Sequence, residues 1–149
     1  MLIALLAVLG VDLIVLAAFV AFVLSRKRWV ARQPGAFHGA IRVAGGDIDG
    51  LRPRWGHGYG RWVRDVLVWT KAPLLLRNEL VPADGLDEQR EPHRDEVKRL
   101  GDHPTVIRLR VGDATVEVAA DADHCDLLLG PYRQPAGAGE RRVEDATTS

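Results

Sequence analysis

The sequence predicts a mainly β protein of the α+β class, with an N-terminal membrane helix, antiparallel strands and one short C-terminal helix. Three observations carry that prediction. Met1 to Leu24 is an unbroken apolar run whose only charge is Asp12. The segments that follow are short and alternating, with turn residues between them, and no long amphipathic helix alternates with them, which excludes doubly wound α/β folds. Asp121 to Leu129 then reads as two or three helical turns halted by Gly130-Pro131.

The apolar run comes first. Twenty-four residues at about 1.5 Å each make a helix of roughly 36 Å, enough to cross a hydrocarbon core of about 30 Å. Asp12 costs about 2.5–3.5 kcal/mol at the centre of a span, and sixteen Leu, Ile, Val and Phe residues outweigh it. A cleaved leader would carry its basic residues ahead of the apolar core. Here Arg26, Lys27 and Arg28 follow it. The expectation is an uncleaved single-pass anchor in the cell membrane, with the N-terminus outside and the C-terminal part cytoplasmic. Residues 1–25 are the anchor, 26–36 a basic juxtamembrane linker, 37–133 the β domain and 134–149 a disordered tail. The tail reading rests on a Pro, Gly, Ala and charge composition without apolar periodicity.

Within the domain, Phe37–Val43 is a first strand ending at Gly45-Gly46, and GGDIDGLRP is a loop. Tyr59–Val63 and Val66–Trp69 flank a two-residue turn at Arg64-Asp65. After Pro73 comes the apolar run Leu74–Arg77, and Leu80-Val81 marks a short strand before a loop. The clearest hairpin is Thr105–Val111 and Ala114–Ala119 about Gly112-Asp113. Asp121 and Asp123 suit the N-terminal end of the closing helix, as caps and by charge.

The chain is neutral, but its charge is divided. Arg26 to Asn78 holds eleven Lys and Arg against three Asp and Glu, while Glu79 to Asp126 holds six against thirteen. Pairing of the two halves within the domain is the expected use of most of these charges. Arg26, Lys27, Arg28 and Arg32 are the exceptions, placed to meet anionic lipid.

The stretch RPRWGHGYGRWVRDVLVWTK, residues 52–71, invites three chemistries. Gly56-x-Gly58-x-Gly60 is not a dinucleotide fingerprint, and it lacks the strand before and the helix after that would hold a pyrophosphate. Glycines at alternate strand positions instead bare one face for an aromatic ring or a crossing backbone. Arginine interleaved with tryptophan could stack nucleic-acid bases, but no nucleic-acid signature accompanies it. His38, His57, His93, His103 and His124 show no metal-ligand spacing, and Cys125 stands alone, without a nucleophile motif or a disulfide partner. No catalytic residue, metal or cofactor is assigned, so the expectation is a binding module rather than an enzyme. Its lipid- or partner-facing candidates are Arg26, Lys27, Arg28, Arg52, Arg54, Trp55, Arg61, Trp62 and Arg64. Asp12 is the candidate for docking to a membrane partner, against the alternative of a tolerated acid. A secreted protein with a cleaved leader, or an enzymatic or cofactor site without a motif, is the alternative. A deep pocket joining His57, His93 or His103 to carboxylates would favour the enzymatic alternative, and a barrel filled solidly by side chains would disfavour it.

Several of these residues carry a resemblance. The span with its basic flank, Gly35-Ala36-Phe37 leading to Ile41-Arg42, Trp55-x-His57-Gly58-x-x-Arg61-Trp62, Trp69, Arg90-x-Pro92 before Glu96, and the hairpin ending at Ala119-Ala120 resemble the actinobacterial membrane-anchored family known as domain of unknown function 2550. The likeness covers most of Leu2 to Leu129. The family's final helix usually runs on through a Trp-bearing turn, whereas here it meets Gly130-Pro131. The resemblance implies no activity. It implies a membrane complex as partner, through genes that neighbour those of the F-type ATP synthase. A looser similarity is to pleckstrin-homology and GRAM-type domains, which implies a strand barrel plugged by the C-terminal helix. That fold serves lipid binders, peptide binders and scaffolds alike.

Overall fold

The computed structural model describes residues 1–133. Helix α1 spans Leu2–Ala31, six residues beyond the expected anchor, so the basic segment is helical where a linker is expected. One stretch of it, Leu6–Ala31, is long and apolar enough to cross a membrane. Seven strands follow: β1 (Phe37–Gly45), β2 (Gly56–Val63), β3 (Val66–Lys71), β4 (Asn78–Pro82), β5 (Gly85–Arg90), β6 (Thr105–Val111) and β7 (Ala114–Ala120). A single 3₁₀ turn, Ala122–His124, leads into the short helix α2, Cys125–Leu129, and a second 3₁₀ turn, Gly130–Tyr132, follows it.

All pairings are antiparallel, in the order β4-β3-β2-β1-β7-β6-β5. The expected barrel is not closed, because β4 and β5 are free edges with no ladder between them. Yet only Ala83 and Asp84 separate these two strands in the chain. Two residues reach roughly 7 Å, so the sheet must curl until its edges meet at that corner. Ala83 N–H donates to the Asp65 carbonyl at 3.0 Å and Asp84 N–H to the Arg110 carbonyl at 2.8 Å, which fixes the corner without closing the sheet.

The curled interior is filled by alternate residues: Phe37, Ile41 and Val43 of β1, Leu67 and Trp69 of β3, Val81, Ile107, Leu109, Val116 and Val118. Leu128 of α2 plugs the open mouth. Tyr132 carries the chain on past Gly130-Pro131, and its hydroxyl donates to the Ala83 carbonyl at 3.1 Å. Gly130, with φ 50°, ends α2 at Leu129 as expected, and a separate 3₁₀ turn follows it. Asp121 holds the expected cap position, but its side chain makes no capping hydrogen bond.

The outer face of β1, β6 and β7 is covered as well. Ala40, Val106 and Ala119 lie under Val97 and Leu100 of the 91–104 segment, with Trp55 against them. The bare glycine face of β2 does what its spacing predicts. A Cβ on Gly60 would lie 2.5 Å from Phe37 Cζ, and one on Gly58 would strike the Thr70 carbonyl and the Trp69 indole. Strand β2 begins three residues before the expected Tyr59, Leu74–Arg77 is a loop, and β5 forms from a charged stretch expected to be loop.

Candidate functional site

The loop between β1 and β2 and the loop between β3 and β4 stand side by side. Val43 N–H donates to the Arg52 carbonyl at 2.8 Å, and Ala72 N–H to the His57 carbonyl at 3.1 Å. Lys71 Nζ bonds the Gly50 carbonyl and pairs with Glu79 at 3.1 Å, which ties the two loops together. Between them opens a cleft of about 490 Å³ with Trp69 and Leu51 at its floor and Arg52, Arg54 and Arg77 at its rim. No carboxylate among the described residues lines it.

Three buried nitrogens at this cleft have no partner within the described chain: Trp55 Nε1, Trp69 Nε1 and His57 Nδ1. An indole N–H can only donate, and a buried donor left unmet costs about 1–3 kcal/mol. Trp69 is fully buried, so its N–H finds no relief at the surface. Desolvation and the neighbouring Arg99 hold the His57 imidazole below the ordinary histidine pKa. Its ring lies 6.2 Å from that of His38, whose pKa is also lowered, first by burial and then by His57 and Lys27. The rim is cationic, with Arg52, Arg54 and Arg77, and no carboxylate among the described residues lines the cleft, so its mouth is suited to an oxyanion, while the three nitrogens lie buried beneath it.

The expected pairing of the two charge halves is mostly not found. Arg26, Lys27, Arg28 and Arg32 are the expected exceptions; of the other seven basic residues before Asn78, only Arg42 and Lys71 form ion pairs among the described residues. The acidic half instead neutralises its own arginines. Glu117, fully buried on the outer face of β7, accepts from Arg42 Nε at 2.7 Å, Arg108 at 2.9 Å and Arg90 at 3.2 Å. Glu96 bonds Arg90 through both oxygens, at 2.7 and 2.9 Å, and Arg42 at 3.0 Å. Arg42 also lies over the Trp55 ring, 4.6 Å from its centroid, which joins this hub to the cleft.

The predicted facing residues are therefore divided. Arg52, Arg54 and Trp55 line the cleft. Arg61 points from the opposite face of β2 into a separate space of about 200 Å³ shared with Arg26 and Trp29 of α1. Trp62 is half-buried and engaged within the domain: its Nε1 donates to the Leu128 carbonyl at 2.9 Å and its ring meets Tyr132 edge-on at 5.9 Å. Arg64 sits in the β2–β3 turn with φ 59°, at the far end of the hairpin from the cleft. Arg26 Nε donates to the Leu75 carbonyl at 3.2 Å, while Lys27 and Arg28 are exposed on α1. Asp12 is exposed along the apolar helix and pairs with nothing among the described residues.

Sequence reasoning missed Lys71, Trp69 and Arg77, which reach the cleft only because β3 turns back beside the β1–β2 loop. The cleft joins His57 to no carboxylate among the described residues. His93 and His103 share an open depression of about 620 Å³ with Glu91, Asp95 and Asp102, and the side chains of all five are exposed. No group of three or more His, Cys, Asp or Glu residues among those described could hold a metal ion.

The family model described as "Protein of unknown function (DUF2550)" matches residues 13–129. The chain belongs to this family. The match begins inside α1, after Asp12, and ends with α2, so it takes in the later part of the apolar helix, the whole sheet and the basic cleft. No curated protein and no solved structure matches this DUF2550 chain.

Proposed function

We propose that this protein is a membrane-anchored binding module that holds its β domain against the anionic inner leaflet and takes phospholipid headgroups into the cleft between the β1–β2 and β3–β4 loops. The observation that carries this reading is the direction of the anchor. Arg26 meets the domain at Leu75, beside the cleft, and Ala36 delivers the chain to Phe37, which pairs with Gly60 well inside the sheet. The last turns of α1 thus run along the outer face of β2 and β3. The apolar length extends the other way, past the cleft loops. With Arg26, Lys27 and Arg28 retained on the cytoplasmic side, the N-terminus lies outside and the cleft opens toward the headgroups. The strand order and the plugging helix support the pleckstrin-homology-type reading of the fold, which by itself carries no function.

The arginines at the rim supply the attraction. At about 1 kcal/mol for each basic residue near an anionic surface, Arg52, Arg54 and Arg77 contribute about 3 kcal/mol, a factor of roughly 150 between docked and undocked states. The test uses the full chain in vesicles, with indole fluorescence followed as phosphatidylglycerol replaces phosphatidylcholine. A lipid-dependent change that salt weakens and that Arg52→Glu/Arg54→Glu/Arg77→Glu abolishes is expected. An identical signal in neutral and anionic vesicles would refute the headgroup reading.

A further inference from the structure

We infer that the β3–β4 loop is a second, apolar membrane contact: Leu74 and Leu76 insert into the interfacial layer of the leaflet from which α1 emerges. Three consecutive leucines occupy this loop and are used differently. Leu75 is 2% exposed, whereas Leu74 is 42% and Leu76 57% exposed. Their outward presentation is built into the backbone. Leu75 N–H donates to the Lys71 carbonyl at 3.0 Å and Lys71 N–H to the Arg77 carbonyl at 3.1 Å, so the loop is a closed turn with its middle residue pinned inward.

The level of the loop identifies what covers it. Arg26 lies two residues beyond Leu24, about 3 Å of helix rise past the end of the apolar run. Its guanidinium bonds the Leu75 carbonyl, which places the leucines beside the point where the span ends. Trp29, 56% exposed and 4.8 Å from the Arg26 guanidinium, occupies the same zone, as tryptophan does at membrane–water interfaces. Lys71, itself paired with Glu79, and Arg77 bracket the leucines, and no acid lies between them in the chain. An apolar tip inside a basic collar, fixed at the depth of the headgroups, matches a lipid surface. A protein groove would have to reach it through those headgroups.

Two contacts, the helix and the loop, hold a body where one would let it swing. The domain then has a set tilt, and the cleft beside the loop is kept facing the lipid. The inference rests on the membrane-anchor reading but needs no anionic lipid, and its test separates the two.

In a Cys125→Ser background, single cysteines at Leu74, Leu76, Phe19 and Asp65 are spin-labelled in the full chain, which is reconstituted into pure phosphatidylcholine vesicles. Collision with oxygen and with a water-soluble nickel chelate is measured at each site. Phe19 reports the span, and Asp65 reports the far end of the β2–β3 hairpin. The oxygen-to-nickel ratio at Leu74 and Leu76 is expected to be several-fold above that at Asp65 and below that at Phe19. Leucine sites as open to nickel as Asp65, with Phe19 still shielded, would overturn the loop contact and leave the anchor standing. A Phe19 site open to nickel would overturn the anchor, and the loop contact with it.

Discussion

Glu117→Gln is expected to be the most damaging isosteric change in the domain. Glu117 is 1% exposed and receives hydrogen bonds from three guanidiniums. Burial raises its carboxyl pKa, but the bonds from Arg108, Arg42 and Arg90 outweigh that effect and the net shift is downward. The carboxylate is therefore held charged in the protein interior. An amide removes the charge and turns one acceptor into a donor facing an arginine. Breaking a buried ion pair from one side costs about 3–5 kcal/mol. The side chains of Arg42, Arg90 and Arg108 keep between 21% and 38% exposure, so they regain some water and the low end, about 3 kcal/mol, applies. That is a large part of the 5–15 kcal/mol that stabilises an ordinary domain. With a urea slope of about 1.5 kcal/mol per molar, the unfolding midpoint falls by about 2 M. The assay is urea unfolding of the full chain in mild detergent, followed by indole emission, since Trp69 is fully buried. Asp87→Asn, at an exposed pair with Arg110, is the control and should move the midpoint little. A Glu117→Gln shift no larger than the control's would mean that the hub is a surface network and that the reasoning from burial is wrong.

Gly60→Ala should cost about 1–3 kcal/mol by driving a methyl into the Phe37 ring, while Gly56→Ala, whose Cβ would come no nearer than 3.8 Å to the Ile41 carbonyl, should be nearly neutral; the same urea titration separates them. The hydrogen bonds from Arg90 draw the Glu96 carboxyl from the ordinary 4.5 down to about 2, against the opposing effect of burial. A lowered folded pKa contributes stability above the unfolded value that is lost as pH falls through the folded one. Melting temperature should therefore fall between about pH 4.5 and 2, and Glu96→Gln should flatten part of that slope. Asp12→Leu removes an insertion cost of about 2.5–3.5 kcal/mol and should raise membrane integration in a translocon assay without moving the domain's urea midpoint.

The sequence by itself determined what is local. A run of apolar residues longer than a bilayer needs has one cheap conformation, so α1 is legible from composition alone. The hairpin of β6 and β7 is legible because Val106 to Val118 alternate around Gly112-Asp113, and period-two patterning is a property of neighbours in the chain. The alternate glycines of β2 announced a close approach, although not that Phe37 and Trp69 would fill it. The predicted tail, residues 134–149, lies outside the described residues.

What only the tertiary structure decided depends on partners far apart in the chain. Strand β5, Gly85–Arg90, is charged and edge-placed, and it is a strand because β6 offers it a ladder, with Glu88 across from Arg108. Trp62, read from its neighbours as lipid- or partner-facing, packs half-buried against α2, where its indole N–H donates to the Leu128 carbonyl, sixty-six residues on. Charge balance misled in the same way. A count by halves predicts pairing across the halves, but the hub forms where β1, β5, β6 and β7 align Arg42, Arg90 and Arg108 on Glu117, and this leaves Arg52, Arg54 and Arg77 without partners among the described residues. Ion pairing acts over a few ångströms, so which charges are spent and which stay available is set by strand register, and register is a property of the folded sheet.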